Sequence, residues 1–488
     1  MKMKTNLLIL TAMALAACTN VTVYETNSSG DKLSRKSSFG QADSVVRVEV
    51  NSSVRKQKLT GIGGSFTEST SSLLARMSPE KRKEVIDAYF SMEGAAYSLT
   101  RTHIGSCDFS RGSYCYASVE NDTLLVNFSI DPDRESLLPL IKDAQAASRD
   151  GFRIIASAWT APWWMKDNKS WKDGWLLPEF QRSYASYLVK YLQAYKEEGV
   201  DVWGITVVNE PYGNGGNWES MHFSPEYETA FVRDFMGPAF EAAGFGHVPI
   251  LGYDQNRAGI PQWVDEMYRD EASSKYFGGL AVHWYESTWE WFPDLLQYAH
   301  EKAPGKHLIE TEGCVDADVP HWKEDDWYWK KEATDWGWDW APDEQKYLHP
   351  KYVPVFRYAR DIIGCLNSWV DGWVDWNMVL DRQGGPNWAS NWCLAPVIVD
   401  PDADEVYYTP MYYAMVHFSR FLRPGAEVLQ TVCTPGELMA TAALNPDGSL
   451  VVVALNQGAK PLGIQLSVDG RDYELTIGKE AIQTIVIK

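Results

Sequence analysis

Along most of this chain, short apolar runs stop abruptly on polar or aromatic residues. Eight are evident: "TGIGGSFTES" (60–69), "YSLTRTHIGS" (97–106), "RIIASAWTAP" (153–162), "VWGITVVNEP" (202–211), "VPILGYDQN" (248–256), "GGLAVHWYE" (278–286), "HLIETEGC" (307–314) and "VDGWVDWNMVLD" (370–381). Each has the length of a buried strand, and amphipathic stretches lie between several of them. "PEFQRSYASYLVKYLQAYKEEG" sets Tyr184, Tyr187, Leu188, Tyr191 and Leu192 at helical spacing before Gly199. "SPEKRKEVIDAYF" opens on Ser78-Pro79, an N-cap followed by a first-turn proline. Eight strand–helix units predict an α/β fold, a (β/α)8 TIM barrel over 60–424. The first unit is the weakest, because glycines dilute it as a strand. A doubly wound open sheet is the rival, but "GIGG" at 61–64 is too loose for the phosphate loop that fold usually carries.

At both ends the pattern shifts to β-type alternation. "LMATAALNPDGSLVVVALN" holds two apolar runs joined by Asn-Pro-Asp-Gly, and "IQLSVDGRDYELTIG" repeats the device at Asp469-Gly470. With "AIQTIVIK" these predict a side β-sandwich over 425–488, closed by an N-terminal strand within 45–59; a β-extension of the main domain is the alternative. Further upstream, Lys2 and Lys4 precede the apolar run Leu7–Leu15, which is too short to span a bilayer. The run ends Leu15-Ala16-Ala17-Cys18, which resembles a bacterial lipoprotein cleavage box; an ordinary secretory signal is the other reading. Residues 1–18 are thus expected to be a signal peptide and 19–44, rich in Ser, Asn and Thr, a flexible tether. The expected location is the cell envelope, lipid-anchored through Cys18 to the outer membrane, with surface and periplasmic faces both open.

Composition narrows the partners. A net charge of −20 repels phosphate backbones and polyanionic glycans, so no nucleic acid is expected. The 22 Trp and 25 Tyr suit either a large aromatic core or sugar-ring stacking, and composition does not choose between them. Apart from Cys18, the cysteines are Cys107, Cys115, Cys314, Cys365, Cys393 and Cys433, whose spacings fit no zinc pattern; Cys107 and Cys115 could pair locally.

Catalytic residues of such a barrel sit where strands end. The fourth run ends Asn209-Glu210-Pro211, and the seventh, "LIETEGC", carries Glu312. Two carboxyls facing each other across the mouth are what glycoside hydrolysis needs, about 5–5.5 Å apart in retaining enzymes.

"SCDFS", "WGITVVNEP", "VHWY" and "DWNMVLDRQGGPNW", in this order, resemble glycoside hydrolase family 30, the family of glucosylceramidase and endo-β-1,6-glucanase. The resemblance runs from about Gly61 to the C-terminus. It implies a barrel with a side β-sandwich, a retaining mechanism, Glu210 as acid/base and Glu312 as nucleophile. It further implies that Arg101 lies near the nucleophile and that Asn209 binds the sugar 2-hydroxyl. Asp108, Trp164, His283, Tyr285, Trp376 and Asn391 match the walls of the sugar pocket, with packing as the bland alternative for each. No ligand cluster is expected around His283, and neither a metal nor a cofactor is implied. Trp284 and Cys314 also fit the patterns, with roles that could be structural.

The segment 321–344 departs from the glucosylceramidase pattern. It carries six Trp among many acids, suiting either a self-packed loop or an aromatic platform for further sugars. Glu324, Asp325 and Asp326 within it read as solvated charge rather than a calcium loop. The expected activity is hydrolysis of β-1,6-linked glucan. A glucosylceramidase or exo-acting β-glucosidase with the same glutamates is the alternative, and a glycan-binding lipoprotein without catalysis is the alternative of another class.

Overall fold

The computed structural model describes residues 20–37, 42, 44–287, 289–316, 354–434, 436 and 438–488. All eight apolar runs form strands, and the eight close into one parallel barrel. They are β1 (Gly61–Phe66), β2 (Leu99–Ile104), β3 (Arg153–Ala158), β4 (Gly204–Thr206), β5 (Ile250–Asn256), β6 (Phe277–His283), β7 (His307–Gly313) and β8 (Gly372–Asp375). The ring closes where β8 pairs with β1, Gly372 opposite Gly61 and Asp375 opposite Gly64. The open-sheet rival is excluded.

The glycines that dilute β1 are required by its packing. A Cβ on Gly63 would lie 2.1 Å from the Leu99 carbonyl oxygen of β2, and one on Gly64 would lie 2.9 Å from Met378 Cγ. Outside the ring, the predicted helices run Pro79–Phe90 and Gln181–Glu197. Ser78 Oγ accepts from the Lys81 amide as the N-cap, and Gly199 takes a positive φ just beyond the second helix.

The second unit is a nine-stranded antiparallel-rich sheet folded into a sandwich. Val45–Lys58 pairs antiparallel with Glu427–Cys433 and parallel with Leu462–Val468, so the N-terminal strand closes the module as expected. The strand Leu450–Asn456 is buried on both faces. Leu450, Val452 and Ala454 belong to the sandwich core, whereas Val451, Val453 and Leu455 pack into the large core shared with the barrel. Burial on both faces explains its unbroken apolar run.

Two expectations fail here. The segment 19–44 is not simply a tether: Val21–Asn27 pairs along its whole length with Ala481–Ile487, and Ser34–Lys36 adds an edge strand. Polar side chains make this possible, because buried Glu25 accepts from Gln483 Nε2 (2.8 Å) and the Gly478 amide (3.1 Å). Cys107 and Cys115 are not joined, nor is any of the six described cysteines in a disulfide. Cys18 and the Trp-rich segment 321–344, with Glu324, Asp325 and Asp326, lie outside the described residues.

Candidate active site

Glu210 stands at the end of β4 because the chain turns there. Its φ is +52°, its amide donates to the Asp254 carbonyl (3.0 Å), and Pro211 has no N–H to carry the ladder on. A left-handed non-glycine residue costs about 1–2 kcal/mol, a strain held here by the neighbouring strand.

Glu312 reaches the same space by a different device. Alternation along β7 would send Glu310 and Glu312 to one side. The register against β6 slips between these two residues. Glu310 therefore meets Arg257, which also binds Asp361 outside the ring, while Thr311 and Glu312 both meet groups at the barrel mouth.

β5 carries a second slip, between Tyr253 and Gln255, with Tyr253 and Asp254 both at positive φ. It delivers the Asp254 carboxylate beneath the two glutamates. Asp254 accepts from Arg101 Nη2 (2.7 Å), Thr206 Oγ1 (2.7 Å), Thr311 Oγ1 (2.6 Å) and His283 Nε2 (3.0 Å). Burial pushes its carboxyl upward, but Arg101, His283 and Thr311 outweigh that and hold it far below the usual carboxylate range.

Arg101 and His283, both fully buried, tie this base to the glutamates. Arg101 bonds Glu312 Oε2 through Nη1, Asn209 Oδ1 through Nη2 (2.8 Å) and Ser157 through Nε (3.0 Å). Burial lowers the His283 ring, yet the charges of Glu312 and Asp254 and the contact with Glu210 raise it to about 10. It is therefore an imidazolium, with Nδ1 3.4 Å from Glu210 Oε1, at the far edge of hydrogen-bonding distance. The buried charges balance, Arg101 and His283 against Asp254 and Glu312.

A carboxylate oxygen of Glu210, one of Glu312 and a ring nitrogen of His283 lie within 4.8 Å of one another. His283 thus does have a carboxylate cluster around it, contrary to the sequence expectation. An imidazolium has no lone pair for a cation, so the trio is poorly suited to hold a metal. Glu312 receives a donor on each oxygen, Arg101 on Oε2 and the Tyr285 hydroxyl on Oε1 (2.9 Å). Burial, first, and the facing Glu210 press its carboxyl upward, with His283 and Arg101 acting against them. Glu210 is the more exposed of the two, its side chain 19% accessible against 8% for Glu312.

Above the glutamates opens a pocket of about 310 Å³ whose lining includes Asp108, Asn209, Tyr285, Trp376 and Asn391. Trp376 stacks on Trp159 (centroids 5.0 Å apart), with the Arg101 guanidinium 4.9 Å from the Trp159 ring centre. Asn391 Nδ2 donates to Asp108 Oδ2 (2.8 Å), whereas Asp108 Oδ1 is buried without a partner among the described residues. Such an acceptor on a pocket wall suits a ligand hydroxyl. Burial, then Glu312, Glu219 and Glu210, push the Asp108 carboxyl well up, with Asn391 opposing.

Trp164 is not in this pocket. It is buried in the main core, its indole N–H on the Ala117 carbonyl (2.8 Å) and its ring edge-on to Phe180. Trp159, the residue directly after β3, takes the wall position, and the strand-end rule points to it. Arg101 and His283 lie beneath the pocket rather than on its wall. Gln255 and Asn256 at the end of β5 and Trp218 on the loop after β4 also line the pocket, and Asp254 bonds Arg101 and His283 under it; none was singled out from sequence.

Residues 59–422 match the model of the glycosyl hydrolase family 30 TIM-barrel domain, and residues 425–485 that of the family's beta sandwich domain. Lysosomal acid glucosylceramidase of Mus musculus is 33% identical over 422 residues, covering 84% of this chain and 77% of that protein. SrfJ from Salmonella typhimurium superposes with a TM-score of 0.83 at 28% identity, over 96% of this chain and 99% of that one. The endo-β-1,6-glucanase BT3312 gives a TM-score of 0.81 at 27% identity, again over 96% and 99%.

Proposed function

This chain belongs to glycosyl hydrolase family 30 and is a glycoside hydrolase, and from that premise we propose that it cleaves β-D-glucosidic bonds with retention of configuration. Glu312 is the nucleophile and Glu210 the acid/base in this reading. The Glu312 carboxylate attacks the anomeric carbon while Glu210 protonates the departing glycosidic oxygen, leaving a glycosyl ester on Glu312. Water then attacks the same carbon, Glu210 takes its proton, and Glu312 departs as carboxylate.

The observation that carries this is the spacing and surroundings of the pair. One oxygen of each glutamate lies within 4.8 Å of the other, which suits the short carboxyl separation of retaining enzymes, about 5–5.5 Å, better than the roughly 6.5–9.5 Å of inverting ones. Arg101 and Tyr285 bond Glu312 in its anionic form. The His283 imidazolium faces Glu210 and stabilises the charge left there after proton transfer. Arg101 holds Asn209 Oδ1, leaving the amide N–H₂ for a sugar hydroxyl, and Asp108 Oδ1 takes another. Turnover of an aryl β-glucoside that disappears in Glu312→Ala tests the assignment and the non-catalytic alternative together; a variant with near wild-type rate overturns it.

For the natural substrate we propose β-1,6-linked glucan, on the likeness to an endo-β-1,6-glucanase over nearly the whole chain. The mouse relative favours a second reading, a glucosylceramidase or exo-acting β-glucosidase. A panel of β-1,3-, β-1,4- and β-1,6-glucans with glucosylceramide, product sizes followed over time, separates the two. Longer oligosaccharides early from β-1,6-glucan support the endo reading, and glucose alone supports the other. The proposed location is the cell envelope, with lipid on Cys18. Only Thr19 and Asn20 separate Cys18 from the strand at Val21, which would hold the enzyme close to the membrane. Loss of membrane association in Cys18→Ala tests the anchor.

A further inference from the structure

Two thiols stand in the wall of the catalytic pocket, and the hydrolytic mechanism uses neither. Cys314 lies two residues beyond Glu312, and Cys393 two residues beyond Asn391. Their Sγ atoms are 3.3 Å apart, and both residues line the pocket. The segments that carry them are already joined as a short antiparallel pair, Val315 opposite Leu394 and Asp316 opposite Cys393. Cys314 also touches the machinery: its Sγ is 3.5 Å from the Tyr285 hydroxyl, the group that donates to Glu312 Oε1.

We propose that Cys314 and Cys393 are an oxidisable thiol pair whose disulfide form slows hydrolysis by displacing the hydrogen-bond partner of Glu312. The oxidant is a small-molecule disulfide, RSSR. One cysteine thiolate attacks a sulfur of RSSR, forming a mixed disulfide and releasing RS⁻. The second thiolate attacks the cysteine sulfur of that mixed disulfide and releases the other RS⁻. The two protons from the cysteines end on the two departing thiolates. Two thiols are oxidised and one RSSR is reduced to two RSH.

Bonded sulfurs sit about 2.05 Å apart, so the pair must close by more than 1 Å. Closure must shift Cys314 Sγ, Cys393 Sγ or both, disturbing the 3.5 Å contact of Cys314 with the Tyr285 hydroxyl, and covalently ties the end of β7 to the segment that holds Asn391 against Asp108. A shift of about 1 Å in a positioned group can cost on the order of a hundredfold in rate.

The test treats the full-length protein with 2-hydroxyethyl disulfide, then alkylates, digests and weighs the peptides, with aryl β-glucoside turnover followed in parallel. The expected result is a Cys314–Cys393 linked peptide together with a kcat at least about tenfold lower, restored by dithiothreitol. Cys393→Ser, compared with its own untreated form, loses the linked peptide, and the fraction of it that carries no mixed-disulfide mass on Cys314 keeps its rate after treatment. Separate alkylation of both cysteines after treatment overturns the proposal. So does a linked peptide without loss of rate, or a loss of rate in treated Cys393→Ser that carries no mixed-disulfide mass on Cys314. The peptide readout does not depend on which glycoside is the substrate, so failure here is distinct from failure of the functional reading.

Discussion

Asp254 carries more of the site than either glutamate, yet its carboxylate bonds to neither glutamate side chain. Four donors converge on its two oxygens in a fully buried position. Asp254→Asn removes the charge that balances Arg101 and His283 and turns an N–H₂ toward existing donors. The expected cost is about 3–5 kcal/mol of stability, read as a lower urea midpoint. An unchanged midpoint contradicts the network. For Glu312 the consequence is kinetic. Because burial and Glu210 press its carboxyl above the ordinary value of 4.5, the acid limb of kcat/KM is expected above pH 4.5, activity dropping as protonation removes the proposed nucleophile. Tyr285→Phe removes one of its two donors and moves that limb to higher pH; a limb that stays put means the tyrosine does not hold the anion. At this scale the sequence was legible at Glu210 and Glu312, where a charge ends an apolar run. It misled at "SAWTAPWWM", where matching placed Trp164 on the pocket wall and passed over Trp159 without notice. Trp164→Phe should lower the melting temperature and leave KM alone, and Trp159→Ala should raise KM; the reverse pattern contradicts the placement.

The elements that aim these residues were only partly legible. All eight barrel strands follow from apolar runs, because a strand covered on both faces reads as continuous hydrophobicity. The slips in β5 and β7 left no such mark. Each depends on partners distant in sequence, as when Glu228 Oε1 accepts the Tyr253 amide beneath the β5 slip. Asp254 was missed for that reason. The strand Val21–Asn27 was missed for another: half of it is polar, and its polar half is buried against groups contributed by the opposite end of the chain. A chain beginning at residue 45 lacks this strand and exposes the edge of Ala481–Ile487. It is expected to melt several degrees lower than a chain beginning at residue 20, a loss of a few kcal/mol. Equal melting temperatures would return 20–44 to the status of a tether.

Across the whole molecule, two buried histidines oppose each other in pH dependence. His417 sits where a barrel helix meets the sandwich, its ring nitrogens 2.7 Å from Thr484 Oγ1 and 2.9 Å from Thr26 Oγ1. Burial, with Arg420 nearby, lowers it to about 3. Between pH 6.5 and 3 the unfolded chain therefore binds the extra proton, and stability falls as pH falls through that window. His283, raised to about 10, contributes fully below pH 6.5, and its share is lost as pH rises toward 10. Thermal melting is expected to be most favourable near neutrality, and His417→Gln to flatten the acid side between pH 6.5 and 4. An acid slope identical to wild type contradicts this role.

The proposed mechanism turns on Glu312 forming the covalent glycosyl bond while Glu210 handles the proton. The most direct measurement incubates the enzyme with a 2-deoxy-2-fluoro-β-glucoside bearing an activated leaving group and locates the added mass by peptide sequencing. The account predicts one fluoroglucosyl residue, attached to Glu312. Attachment to any other side chain, or a first product of inverted anomeric configuration from an unmodified substrate, would contradict it.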